Sequence, residues 1–103
     1  MTDEAILTKA IEKANKNGFK PKYVGIGEYG IEVEIDGFRE STSVKTIIFS
    51  HDFAKAFWKN ETTWAFEHEG DGWGEAWQHH LKNMVLEPNP IKYLEQFLEE
   101  PNG

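Results

Sequence analysis

Residues 64–80, WAFEHEGDGWGEAWQHH, gather most of the side chains in this chain that could do chemistry. They hold three of its four tryptophans, three of its four histidines, four carboxylates and three glycines. Glu67, Glu69 and Asp71 alternate, so an extended backbone sets all three on one side, where the three carboxylates could hold a hard cation. The spacing of a calcium loop, with a glycine at its sixth position and a glutamate at its twelfth, is not matched. His79 and His80 are neighbours about 100° apart on a helix and do not converge on one ion. A phosphate cradle is also disfavoured, because Gly70-Asp71-Gly72-Trp73-Gly74 has the glycines but an acid at its centre and no lysine.

Elsewhere, Ser50-His51-Asp52 contains the residue types of a nucleophilic triad. Neighbours at a helix start point in different directions, and the expected role of Ser50 is to cap a helix with Asp52 in its first turn. No enzymatic activity and no cofactor are expected. The remaining use of 61–75 is recognition, with Trp73 as an anchor and Glu67, Glu69, Asp71 and Glu75 as a carboxylate rim for a basic partner. Two alternatives stand beside this reading. One is a small metal-binding module or metal-dependent hydrolase using Glu67, His68, Glu69 and Asp71; the other is a purely structural or oligomerising domain.

Charge supports the recognition reading. Residues 1–60 carry equal numbers of acids and bases, so the whole net charge of −7 falls in residues 61–103. That asymmetry opposes direct contact with a nucleic-acid backbone and favours a protein partner with a basic surface. There is no cysteine, which suits a reducing cytoplasm. No apolar run approaches the ~18 residues of a membrane span, and the acidic, amphipathic first residues lack the layout of a signal peptide.

The elements that must position these residues fit one domain of 103 residues with an acidic Gly/Trp-rich loop at about 60–74. Thr2 caps a first helix with Ile6, Leu7, Ala10, Ile11 and Ala14 on one face, closed by Gly18. Ile31, Val33 and Ile35 alternate with Glu32 and Glu34 as a half-buried strand, Asp36-Gly37 makes a turn, and Tyr23 to Ile26 is a weaker strand. Val44 to Phe49, β-branched and continuously apolar, reads as a more central strand. Helices follow from Ser50, around Trp77, Leu81, Met84 and Val85, and from Pro90, capped by Asn89. The fold class is therefore α+β: an N-terminal helix, a two- or three-stranded antiparallel sheet, then three helices packed on one face.

The segments IIFSHDFAKAFW and HLKNMVLEPNPIKYLEQFLEE, within about residues 47–58 and 77–98, resemble a group of small bacteriophage and prophage proteins. In that group an Ile-Phe-Ser-His-Asp-Phe-Ala-Lys-Ala-Phe segment precedes a Trp-x-x-His-Leu helix and a Pro-Ile-Lys-Tyr-Leu helix. The resemblance implies a phage accessory protein acting in a bacterial cytoplasm, of a kind that binds and blocks host proteins in the manner of DNA mimics and anti-CRISPR proteins. It carries no catalytic residues across. The long acidic stretch between Trp58 and Trp77 departs from the group's short connection.

Overall fold

A computed structural model describes residues 2–59 and 75–98, the side chains of 75–77 excepted. Its order is α1 (Asp3–Lys16), β1 (Lys22–Gly27), β2 (Gly30–Ile35), β3 (Phe38–Thr42), α2 (Val44–Ile48), α3 (His51–Phe57), α4 (Glu75–Val85) and α5 (Pro90–Glu95). The fold is α+β, with the three strands in a β1-β2-β3 antiparallel meander.

α1 starts where the Thr2 hydroxyl accepts from the Ala5 amide at 3.1 Å, and Asp3 and Glu4 sit at the positive end of its dipole. It stops in a left-handed closure. Gly18 takes φ +104°, its amide reaches Asn15 O, and the Phe19 amide reaches Ala14 O. That closure turns Phe19 back into the core, and Asn15 Nδ2 braces the exit by donating to the carbonyls of Phe19 and Pro21 at 2.7 and 2.9 Å.

Two turns set the sheet. Asp36 and Gly37 both have positive φ, 52° and 88°, which is the paired conformation that matches strand twist in a two-residue hairpin. At the other hairpin Gly30 has φ +139°, and a Cβ there would lie 2.5 Å from the Thr42 carbonyl oxygen, so only glycine lets β2 and β3 close up. The β1–β2 register slips between Tyr23 and Gly25, leaving Val24 as a bulge on an edge strand. Ile31 and Val33 are buried on the helix side of β2, while Glu32 and Glu34 occupy the other face.

VKTIIF is not a strand. Residues 44–48 form helix α2, because the Ser43 hydroxyl caps it, accepting from Thr46 N at 3.1 Å. The third strand is the polar FREST stretch that the Asp36-Gly37 turn hands directly to β2. As an edge strand it needs no apolar run. Only Ser43 separates β3 from residue 44, which leaves no room to turn back into the sheet, so Ile47 and Ile48 reach the core at a helical corner instead. Four helices therefore follow the sheet among the described residues.

α1 is the hub. It packs against β1 on one side and against α3 and α5 on others, while α4 lies on α3 and α5. The core joins the expected α1 stripe to Phe53, Phe57, Trp58, Met84 and Leu94. Val85, expected within the α4 stripe, is 65 % exposed. Its place in the packing is taken by His80, which lies four residues, about one turn, before Met84.

Candidate functional site

The stretch that carries the candidate chemistry lies between α3 and α4 in the sequence. Glu67, His68, Glu69, Asp71 and Trp73 lie outside the described residues, as does the whole of the loop expected at about 60–74. Glu75 opens α4, but its side chain and that of Trp77 are likewise outside the described set. The structure does describe the base on which this stretch is mounted.

That base is an aromatic clamp. Trp58, the residue after α3, is 2 % exposed. Its ring stacks on the His80 imidazole at 4.5 Å between centroids and 12° between planes. Phe97 meets the same imidazole edge-on at 4.8 Å and 76°, and meets Trp58 at 5.6 Å and 88°. His80 Nδ1 lies 2.8 Å from the Tyr93 hydroxyl, a hydrogen bond that fixes the ring in its plane. The stacked Trp58–His80 pair, with Phe97 against the side of both rings, gains packing area, and each such ring pair adds about 0.5–1.5 kcal/mol beyond burial. The clamp thus ties the residue just before the acidic stretch to the helix just after it.

His80 is half-buried, with one ring face on Trp58 and Phe97 beside it. His79 is exposed, its Nε2 3.1 Å from Asn83 Nδ2 one turn on, and does not approach the same point as His80. The two histidines that give the stretch its catalytic look do separate work.

At Ser50-His51-Asp52 the structure places a cap. Ser50 Oγ accepts from Phe53 N at 3.1 Å and donates to Ile47 O at 2.8 Å, so the hydroxyl is held between two helices. Asp52 and His51 are exposed in the first turn of α3. No triad is assembled from these three residues. Among the described residues, no group of three or more His, Cys, Asp or Glu is placed to hold a metal ion, and no helix is long and apolar enough to cross a membrane.

Lys13 is the contributor that sequence reasoning missed. Read only as a solvent-facing residue of α1, it lays its Nζ 4.7 Å from the centroid of the Phe57 ring and donates to the Phe97 carbonyl at 2.7 Å. It supports the clamp from beneath, through a cation on a ring face and a charged hydrogen bond. The i,i+4 pair Tyr93/Phe97 near the chain's end was the available signal, since two aromatics on one face of a short helix need a partner surface.

Compared with protein-family models, with characterised proteins and with solved structures, the chain shows no match in any of the three.

Proposed function

We propose that the protein works by binding rather than catalysis, using the acidic, tryptophan-bearing segment 61–75 to engage a protein with a basic surface. The observation that carries this reading is the charge distribution: the entire excess of −7 lies in residues 61–103, and five of the nine acids there, with no base among them, fall within 61–75 around Trp64 and Trp73. The aromatic clamp supports it, because a segment anchored at both ends on a packed base loses less entropy on binding than a free tail. Glu67, Glu69, Asp71 and Glu75 meet lysines and arginines of the partner, and Trp73 fills a pocket between them. In a phage setting the natural target is a nucleic-acid-binding or defence protein of the bacterial host, blocked by carboxylates standing where phosphates would bind.

The test is capture from a bacterial lysate, followed by titration of the captured protein against wild type and Glu67→Ala/Glu69→Ala/Asp71→Ala. Loss of three rim charges is expected to weaken binding by roughly ten- to a hundredfold at low salt and to flatten its salt dependence. Unchanged affinity removes this surface from consideration. Stoichiometric metal in the purified protein, with a melting temperature that falls on adding a chelator, would replace the binding reading with a cation site at the same carboxylates.

A further inference from the structure

On the side of α3 where it faces the end of α1, the surface opens into a groove of about 800 Å³. One wall is the closing turn of α1, from Asn17 to Pro21; the other is the α2–α3 corner and the outer face of α3. The floor is apolar, made of Phe19, Ile47 and Ala56, each less than a tenth exposed. The rim is basic: Lys20 stands on one wall and Lys55 and Lys59 on the other, all exposed, with Asp52 as the single acid among the described lining residues.

The polar groups between floor and rim are already used. Asn17 Nδ2 donates to the Ala56 carbonyl at 2.8 Å and so bridges the two walls, and Ser50 Oγ is held by its two backbone contacts. What the groove offers an incoming molecule is therefore apolar floor and the Lys20 and Lys55 ammonium groups. We propose that it takes an acidic segment of a partner protein, with an apolar side chain on the floor and flanking carboxylates at Lys20 and Lys55. Its described lining residues are all outside segment 61–75 in the sequence and the rim is opposite to that segment in sign, and the proposal does not depend on the function proposed above.

Two other occupants fit less well. A small ligand gains affinity by burying some 70–90 % of its surface, which an open trough does not supply; a chain segment held elsewhere by its own fold needs only local contacts. Single-stranded nucleic acid needs ring faces on which bases stack. The single aromatic ring among the described lining residues is Phe19, which packs edge-on against Phe53 at 5.4 Å and 80°, so there is no run of ring faces for successive bases. The overall charge of −7 does not cancel the local field, because at physiological salt charges beyond ~8 Å are screened.

The experiment uses the full chain and a short fluorescein-labelled peptide of Asp and Glu around a central Leu-Phe pair, with a Lys-containing counterpart as control. Backbone amide resonances are expected to shift at Phe19, Ile47 and Ala56. Reversing the rim in Lys20→Glu/Lys55→Glu is expected to raise Kd about tenfold or more, and Lys20→Gln/Lys55→Gln by an intermediate factor. Both residues are exposed, so the melting temperature should stay within a few degrees of wild type, which separates lost binding from lost folding. The proposal is overturned by absent shifts, by shifts that map elsewhere, by an unchanged Kd in the reversed variant, or by equal binding of the Lys peptide. It is also overturned if the chain self-associates and the reversal abolishes that, since the occupant is then the acidic half of a second copy.

Discussion

Tyr23 shows how a single side chain can work against its own fold. Its ring packs against the core, yet its hydroxyl is buried with no hydrogen-bond partner among the described residues. Burial, and then the negative charge of Glu4, pushes the phenol above its ordinary value of 10.0. The sign of the pH effect follows. Below pH 10.0 the folded and unfolded chains both keep the proton, and stability is complete. As pH rises past that value the unfolded chain releases its proton first, so stability falls until the folded phenol ionises too. Tyr23→Phe removes an unpaired polar group without opening a cavity; it is expected to leave stability at neutral pH unchanged or raise it by up to about 1 kcal/mol, and to remove this part of the alkaline loss. Urea denaturation of both proteins in steps through and above pH 10.0 is the check. Identical alkaline slopes would show that Tyr23 is not the group responsible.

At the scale of elements, α2 is the informative case. A five-residue helix has almost no propensity of its own, so its Ser43 cap matters more than it would in a long helix. Ser43→Ala is expected to cost about 1 kcal/mol, read as a lower midpoint in urea with an unchanged slope. Were the same residues a strand, removing the Ser43 hydroxyl would cost almost nothing. The outcome bears on why part of the fold was legible in the sequence and part was not. Helices α1, α3 and α5 announce themselves through Thr2, Ser50 and Asn89, each followed by an apolar stripe, and each of these caps is formed. Ile31/Val33/Ile35 alternates with period two and is a strand. Val44–Phe49 carries no period, since a short β-branched run satisfies helix and strand alike, and its neighbours decided. β3 was hidden for the opposite reason: an edge strand exposed on both faces has no apolar pattern to read. Of the candidate site, the clamp was half legible. Trp58 sat on an apolar face and His80 beside one, but which rings meet across the chain is fixed by tertiary packing alone.

For the whole molecule, the clamp joins a first half built on α1 and the sheet to a second half of two short helices. Among the described residues α4 and α5 bury few completely, chiefly Met84 and Leu94; α5 is held by α1, and α4 rests on α3 and α5, with Trp58 and its neighbours filling the seam. Trp58→Ala is expected to cost about 3–5 kcal/mol, a large share of the ~5–15 kcal/mol typical of a domain. Hydrogen exchange should rise most in α4 and α5 while α1 keeps its protection. Uniform acceleration across the chain would mean that the two halves do not separate in this way.

The bond from Lys13 to the Phe97 carbonyl spans 84 residues, and that from Asn89 to Asp3 spans 86. Seen as a timetable, these contacts make the first helix wait for the last. During synthesis at ~5–20 residues per second, α1 emerges with its apolar stripe formed but with the side that α5 covers still bare, and it stays so for several seconds. The charges that ring this helix, Glu12 and Lys16 among them, keep the nascent chain soluble through that interval. Chains released before residue 97 lack the Lys13 bond and leave that side of α1 uncovered, while its packing on β1 and α3 stands.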